Sequence, residues 1–585
     1  MSIMNILNDL FTWTVIVVII VGFFFIGKTG SLSLVKYDGA TTDKQKIKRE
    51  WIIFGVIMFF ACAIRVWQFG LVPYGMNQDG AMGAIDAKAL ADYGTDRLGM
   101  YMPVHLQAWG FGQMSALMSY LTVPFIWLFG LNPVSARLPI LIVSCLALWV
   151  FYLLLKDVFD TLTAQMGLAL CALAPWHFIQ SRWSLDCNLF PHMILFGVFF
   201  LVKAIKAEKK RKLKFGLSMF FFAMCMYSYG VSIYTIPLLL ILCCVYLLIK
   251  KMVSIKEIIL CVAVYLFFAW PFILTMMINT FGWETIETPI FTIPNFPGSQ
   301  RSADILFFSE DIYEQFINNI KSLWNILTEG LDAPWNAVNG FSTIYICMTP
   351  LMVVGIFAAI HRFIAFRKIR KNNTDYDSGD AIVYGKENYR IAGMVILGFW
   401  FIVSIWCGII TANVNTNREN ILIYMMMIIA VVGARFIIDK KRALIYVLAA
   451  ILALNGICFV TAYFSKDHAD ATKSNYLGGF GECMQELQKA GCEKYYADLN
   501  CQESQAGVVL ELQTLFYLEV DSKEYQSPEF WEKYHFVTTD QFEYSDDVKI
   551  GYVLPDTDEQ NPKTMFDTNK FTFINHGPFV AVIPK

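Results

Sequence analysis

The chain has 585 residues, of which 56% are hydrophobic and 16% aromatic, and its mean hydropathy is +0.50. This composition excludes a single soluble fold of that length, because it is too apolar for one water-surrounded core. The net charge of −2 leaves no overall basic field that would attract nucleic acid. We therefore expect a membrane protein.

Twelve apolar stretches have the length of transmembrane helices, which need about 20 residues. No basic segment precedes the first, "FTWTVIVVIIVGFFFIG", and no small-residue cleavage site follows it, so we interpret it as a retained span rather than a signal peptide. The predicted spans are 11–27, 51–71, 137–155, 162–180, 188–204, 214–231, 234–249, 257–278, 343–361, 391–411, 420–435 and 443–463.

A thirteenth apolar stretch, Gln113–Gly130, has Pro124 in its middle. The segment 28–50 carries six basic residues, so the excess of Lys and Arg in cytoplasmic loops places it inside. The later basic loops share that side only if Gln113–Gly130 does not cross the membrane. We therefore predict an interfacial helix or shallow hairpin on the outer face.

This topology leaves two long loops outside, 73–136 and 279–342. The stretch 73–112 has four acidic and two basic residues, and 279–341 has eight and two. We expect a transmembrane module over 1–465 and an extracytoplasmic α/β domain over 466–585, in a multi-pass protein of the cell membrane. The domain's role stays open between recognising an acceptor and covering the active face.

Within 466–585, "CMQELQKAGC" predicts a helix, and "KYYADL", "HFVTT", "KIGYVL" and "FVAVIPK" predict strands. Only three of the 14 cysteines lie there, which argues against a disulfide scaffold. The chain has no P-loop, HExxH, GxSxG or GxGxxG motif, so no nucleotide, nicotinamide or zinc site is predicted.

The outer side carries the candidate site residues. Asp79 follows a span and begins a predicted short helix, where it either caps the helix or acts as a general base at the lip of a cavity. Asp186 is a second acid, which either pairs with Arg182 or joins a site. The remaining candidates are Arg137, Arg182 and Arg418, as phosphate-binding guanidinium groups, and His105, as a hydrogen-bonding group.

The order of these features resembles the GT-C membrane glycosyltransferases. Asp79 and its helix are followed by "MYMPVHLQAWGFGQ", "WLFGLNPVSARLP" and "PWHFIQSRWSLD". The similarity is greatest to glycosyltransferase family 39, which includes the protein O-mannosyltransferases and the lipid A aminoarabinose transferase. It covers roughly residues 50–440 in scattered short motifs.

The resemblance implies a GT-C fold of about 12 transmembrane helices and an inverting sugar transfer from a polyprenyl-phosphate donor. The acceptor, a protein, lipid or glycan, would enter from the outer face, and Asp79 would be the base. By position Asp186 matches a second acid of the family. Members often have Asp-Glu where this chain has Asp79-Gly80, which leaves acceptor choice in doubt. The resemblance also leaves a divalent cation open.

Two other classes stay open, a multi-pass transporter and a non-catalytic envelope assembly protein. A transporter usually has charges deep within its spans and similarity between its halves. Here Arg65 is the clearest charge within a span, and the halves show no likeness. An assay of sugar release from a polyprenyl-phosphate donor would separate the three classes.

Overall fold

The computed structural model describes residues 44–109, 112–296, 306, 311–328, 335–372, 380–411, 414–557 and 561–585. The predicted span 11–27 lies outside the described residues. Each of the other predicted spans coincides with one helix, or in the case of 162–180 with two.

The first part of the chain is almost entirely helical. Its elements are, in order, α1 Lys44–Val66, α2 Gln78–Tyr93, β1 His105–Gln107, β2 Gln113–Ser115, α3 Leu117–Phe129, α4 Pro133–Val158, α5 Thr161–Leu173, α6 Pro175–Gln180, α7 Phe190–Lys206, α8 Arg211–Met226, α9 Ser232–Ile249, α10 Ile255–Phe281, β3 Ile286–Glu287, β4 Thr292–Ile293, α11 Ile312–Thr328, α12 Thr349–Asn372, α13 Asp380–Ile410, α14 Asn420–Lys440 and α15 Leu444–Tyr463. A short 3₁₀ helix, Asp186–Leu189, leads into α7.

The number of spans stays a prediction. Among the described residues, 7 helices are long and apolar enough to cross a membrane. The predicted span 162–180 is broken because Pro175 lacks a backbone N–H and disfavours helical geometry in the residue before it. The 13 residues of α5 and of α3 each reach only about 20 Å, less than the roughly 30 Å of a bilayer core.

The helices differ in how much of their surface the protein covers. The span that contains α7 is 89% buried, whereas those of α10 and α15 are 22% and 11% buried. Phe151 of α4, Phe190 of α7 and Tyr424 of α14 lie in the same core and are fully buried. The helix that begins next to Asp186 is therefore the central one, and the protein leaves most of the apolar surface of α10 and α15 uncovered.

The C-terminal part forms a mixed α/β unit, as predicted. Its elements are α16 Lys466–Ala471, α17 Lys473–Tyr476, α18 Phe480–Lys489, β5 Lys494–Asp498, α19 Ala506–Tyr517, α20 Ser522–Tyr525, α21 Pro528–Lys533, β6 Tyr534–Val537, β7 Ile550–Pro555, α22 Pro562–Met565, β8 Phe571–His576 and β9 Phe579–Pro584. The sheet has the order β6-β5-β7-β9-β8, in which β5, β6 and β7 are parallel and β9 is antiparallel to its neighbours.

The predicted helix and four predicted strands of this unit are confirmed. Strand β8 was not predicted, because its side chains are mostly half-exposed and its sequence, "FTFINH", lacks the continuous apolar run of the buried strands. It pairs with β9 through a tight hairpin at Gly577. We call residues 466–585 the tail domain below.

Candidate active site

The carboxylate of Asp79 lies in the first turn of α2. The helix is capped by Asn77, whose side-chain oxygen accepts a hydrogen bond from the Asp79 backbone N–H at 3.1 Å. Of the two interpretations of Asp79, the helix cap is not supported, because Asn77, two residues earlier, takes that role. The half-buried Asp79 carboxylate instead accepts a hydrogen bond from the indole N–H of Trp109. The positive end of the helix dipole, at the N-terminus of α2, stabilises the negative charge of the Asp79 carboxylate.

Asp186 begins the 3₁₀ helix that precedes α7, and it too is half-buried. Its carboxylate accepts hydrogen bonds from the backbone N–H groups of Ser115, at 3.2 Å, and Cys187, at 2.7 Å. The carboxylates of Asp79 and Asp186 both lie within electrostatic range of the Cys187 thiol. The fold thus brings together two acids that are 107 residues apart in sequence.

Close packing joins the segments that carry these acids. An added Cβ on Gly80 would lie 2.8 Å from Ser184 Oγ and 3.1 Å from the Ser184 carbonyl oxygen. An added side chain at position 80 would require Ser184 or the first turn of α2 to shift. This contact favours glycine at position 80.

The guanidinium of Arg182 is fully buried and holds the turn that follows α1. It donates to the carbonyl oxygens of Arg65, Gln68 and Val72 at 2.5, 3.0 and 2.8 Å. It does not pair with Asp186. Its direct contact with a donor phosphate stays a prediction, and in this conformation its donors face backbone carbonyls.

Arg137 has a similar position in the first turns of α4. Its guanidinium is buried and donates to the carbonyl oxygens of Gly75 and, at 3.4 Å, Gly70. Arg137 and Arg182 lie close enough for their charges to interact. Among the described residues neither is ion-paired with an acid, so two uncompensated positive charges lie beneath the turn that leads to Asp79.

Arg418 lies in the turn between α13 and α14 and is half-exposed. The next residues connect this turn to the Asp186 segment, since the Asn420 amide donates to the Cys187 carbonyl oxygen at 2.6 Å. Glu419 is buried, and its burial raises the pKa of its carboxyl well above the usual value. An added Cβ on Gly408 of α13 would lie 3.0 Å from Glu419 Oε2, so the acid points towards that helix.

His105 of β1 lies apart from these charged groups in an aromatic setting. It is 4% exposed, and its ring packs edge-on against Phe272 of α10, with centroids 5.5 Å apart, and near Phe296. These contacts join the first outer loop to a span, and a role for His105 in substrate binding stays a prediction.

A buried ion pair that the sequence analysis missed fixes the first outer loop. Arg97 donates to both carboxylate oxygens of Asp86, at 3.1 and 2.9 Å, and to the carbonyl oxygen of Gln107 at 2.9 Å. Both side chains of the pair are almost fully buried. Since Asp86 lies on α2 and Gln107 is two residues from Trp109, the pair holds Trp109 beside the helix that carries Asp79.

The tail domain contacts both ends of α2. At the start, the Gln513 amide donates to the Met76 carbonyl oxygen at 2.6 Å, and the Asn77 amide to that of Asn475 at 3.3 Å. At the end, the Tyr93 hydroxyl donates to the Asp521 carboxylate at 2.6 Å. Sequence reasoning missed these contacts because their partners are about 400 residues apart.

One further contact depends on a glycine. Gly75 has φ +90°, and an added Cβ would lie 2.0 Å from the Tyr476 carbonyl oxygen. The tail domain therefore packs against the bare backbone of the turn before Asp79. Tyr476 also packs against Trp183, close to the second acid.

Metal binding has little support in the part of the chain that the structure describes. There, no three His, Cys, Asp or Glu side chains cluster closely enough to hold an ion. The two acids of the site, Asp79 and Asp186, are each engaged by N–H donors.

The chain is similar in sequence to one known family and in fold to solved structures. Residues 114–275 match the family described as dolichyl-phosphate-mannose-protein mannosyltransferase. The chain matches no curated protein. ArnT from Cupriavidus metallidurans, solved with bound undecaprenyl phosphate, aligns over 91% of this chain and 97% of its own, with a TM-score of 0.52 and 12% identity.

A second match is more distant. The oligosaccharyltransferase AglB from Archaeoglobus fulgidus, solved with an inhibitory peptide and a dolichol-phosphate, aligns over 81% of this chain and 64% of its own, with a TM-score of 0.45 and 12% identity. The sequence match over residues 114–275 and the fold shared with ArnT confirm the predicted resemblance to family 39 and to the GT-C membrane glycosyltransferases.

Proposed function

We propose that the chain transfers a sugar from a polyprenyl-phosphate donor to an acceptor hydroxyl on the outer face of the membrane, with Asp79 as general base. The observation that carries the proposal is the position of the Asp79 carboxylate, half-buried at the point where the chain leaves a span. The family match is described by a dolichyl-phosphate sugar, and the ArnT structure contains undecaprenyl phosphate, which supports a polyprenyl-phosphate donor.

The charges near the site suit an anionic leaving group. The buried Arg137 and Arg182 have no acidic partner among the described residues. Their charges therefore make the electrostatic potential more positive at the outer ends of α1 and α4. Arg418 is half-exposed beside the Asp186 segment and is the candidate for direct contact with the phosphate. In this proposal the two buried arginines stabilise the leaving phosphate by long-range electrostatic attraction and do not contact it directly.

The reaction balances without a cofactor. The acceptor hydroxyl oxygen bonds to the anomeric carbon as its proton passes to the Asp79 carboxylate. The bond between the anomeric carbon and the phosphate oxygen breaks, and polyprenyl phosphate leaves with the electron pair. Attack from the face opposite the phosphate inverts the anomeric carbon. Trp109 orients the carboxylate through its indole N–H, and Asp186 is next in line as base.

The test is Asp79→Asn, which removes basicity while keeping shape. Because Asn77 provides the cap, the substitution leaves the start of α2 intact. General-base catalysis is typically worth about 10²–10⁴-fold, so we expect turnover to fall by at least roughly a hundredfold. The measurement is release of polyprenyl phosphate from a radiolabelled polyprenyl-phosphate sugar in native membranes, which supply the acceptor.

The matched control is Asp92→Asn, the same chemical change near the other end of α2, where Asp92 pairs with Lys88 at the surface. It should keep wild-type turnover, and both variants should bind polyprenyl phosphate as the wild type does. If Asp79→Asn retains most of its activity, Asp79 is not the base and Asp186→Asn becomes the next variant to measure.

A further inference from the structure

A cleft of about 230 Å³ lies between the first outer loop and the tail domain. The loop contributes Leu98, Gln107 and Trp109, and the tail domain contributes Glu511, Tyr525 and Trp531. Its volume is below the roughly 300–1,000 Å³ of sites for drug-sized ligands, so it accommodates one ring-sized group.

The cleft is connected to the proposed base through a single side chain. Trp109 lines the cleft, and its indole N–H donates to the Asp79 carboxylate. A group held in the cleft would therefore lie one side chain away from the carboxylate. An acceptor that arrives from water, rather than from the lipid, would meet this cleft first.

The lining combines flat apolar faces with hydrogen-bonding groups. Trp531 is 53% exposed, so its indole face is open to a ligand. Beside it, the Glu511 carboxylate accepts from the Tyr525 hydroxyl at 2.5 Å and has further lone pairs for ligand hydroxyls. The exposed side chain of Gln107 can both donate and accept. An aromatic face next to such groups matches a sugar ring, which has an apolar C–H face and a rim of hydroxyls.

The charges of the cleft argue against an anionic ligand. Its arginine, Arg97, is already engaged by both oxygens of the buried Asp86 carboxylate. Glu511 adds a carboxyl whose pKa is raised by burial. Among the described residues that line the cleft, Arg97 is the only cation, so a phosphorylated or acidic acceptor would meet no unpaired positive charge.

We propose that this cleft is the acceptor site and that it binds a sugar ring of the acceptor, next to the hydroxyl that receives the new sugar. This inference rests on the proposed function. It assigns acceptor recognition to both the first outer loop and the tail domain, and it names a saccharide as the acceptor. The saccharide could belong to a soluble glycan or to a glycolipid.

The first experiment substitutes the open indole in the full-length protein. Trp531→Ala should raise the KM for a saccharide acceptor roughly tenfold, because an aromatic face is lost, and should leave kcat nearly unchanged. Trp283→Ala, which removes a similarly exposed indole (47% exposed) from the second outer loop, is the matched control and should leave KM unchanged. Separate reactions with a soluble oligosaccharide and with a lipid-linked oligosaccharide show whether the acceptor saccharide belongs to a soluble glycan or to a glycolipid.

The second experiment blocks the cleft in folded protein. Leu98 lines it and is 41% exposed, and none of the native cysteines is fully exposed. A bulky maleimide on Leu98→Cys should abolish transfer to the acceptor while slow release of the sugar to water continues. Saturation-transfer NMR with methyl glycosides should show ring contacts that the same label removes.

The outcomes separate the two proposals. If donor turnover depends on Asp79 but neither Trp531→Ala nor the Leu98 label affects transfer, the cleft is not the acceptor site. If the glycosides show no contact and an unglycosylated peptide is the acceptor, the saccharide assignment is overturned. If the donor is not consumed at all, the proposed function itself fails.

Discussion

At the scale of single residues, the site depends on two small features around one carboxylate. Asn77 takes the capping role, so Asp79 is left to interact with the side chain of Trp109. Gly80 has no side chain, so the turn can lie against Ser184. The close approach at Gly80 packs the segment that carries Asp79 against the segment that precedes Asp186, and both carboxylates lie within electrostatic range of Cys187.

Gly80→Ala tests this close approach. The added methyl would meet Ser184 at 2.8 and 3.1 Å, and such overpacking typically costs about 1–3 kcal/mol. We expect displacement of the carboxylate to lower turnover by roughly tenfold or more. Gly216→Ala in α8, where nothing lies within 4 Å, should be neutral.

A double variant tests whether displacement of the Asp79 carboxylate, rather than another effect of Gly80→Ala, lowers turnover. Ser184→Ala removes the hydroxyl that lies 2.8 Å from the added methyl, although the carbonyl at 3.1 Å remains. Adding it to Gly80→Ala should restore part of the turnover, a coupling that a double-mutant cycle measures. Purely additive effects of the two changes would contradict the proposed contact.

At the scale of helices and strands, local patterns predicted much of the fold and distant contacts did not. Continuous apolar runs predicted the positions of the spans, since a bilayer demands about 20 such residues regardless of what they touch. The helix break before Pro175 can be predicted from the proline alone. Strand β8 and the amphipathic α11 were missed, because half-exposed elements carry a weaker signal.

The same limit explains what was missed at the site. Asp79 and Asp186 were predicted from the topology to be acids of the outer face, and that orientation stays a prediction. The ion pair of Asp86 with Arg97 and the hydrogen bond of Trp109 depend on how the loop folds back. The structure also shows that Arg137 and Arg182 hold backbone carbonyls, because a guanidinium suited to phosphate is equally suited to a carbonyl-rich turn.

The short helix α16 links the last span to the tail domain and has its own pH dependence. Burial lowers the pKa of His468 from its ordinary 6.5 to about 4, and its ring packs on Tyr463, with centroids 5.1 Å apart. The unfolded junction takes up a proton as pH falls below 6.5, whereas the folded junction resists it. Its stability is therefore fully present above 6.5 and is lost as pH falls towards 4.

We predict that amide exchange in residues 465–476 becomes faster as pH falls from 7 to 5, after correction for the intrinsic exchange rate. His468→Gln should remove most of this dependence, since Gln does not titrate. His535→Gln, on strand β6 and away from the junction, is the control and should preserve it. An unchanged pH response in His468→Gln would show that other groups control the junction.

At the scale of the whole molecule, charge is distributed unequally between the two sides of the bundle. The first outer loop is acidic and contacts the tail domain through α2. The connection between α7 and α8, at the opposite end of α7 from Asp186, is rich in lysine. Cytoplasmic loops carry such excess basic charge, so the site and the tail domain are expected on the outer face.

Paired cysteine variants test this orientation. Lys489→Cys, in the tail domain, should react with a membrane-impermeant maleimide in intact cells. Lys210→Cys, between α7 and α8, should react only after the membrane is permeabilised. Both lysines are exposed in the folded chain, so each thiol is accessible from its own side. Labelling of Lys210→Cys in intact cells would reverse the topology and move the site to the inner face.

The contacts between the tail domain and α2 also bear on how the protein is made. Gln513 binds the Met76 carbonyl oxygen across 437 positions of sequence, and the Tyr93 contact with Asp521 spans 428. A ribosome releases the spans and the Asp79 segment long before it reaches the residues that hold them. A nascent chain that stalls within the tail domain would have every membrane helix in place while α2 lacked its partners. We therefore expect chains that end within the tail domain to leave both ends of α2 without these contacts.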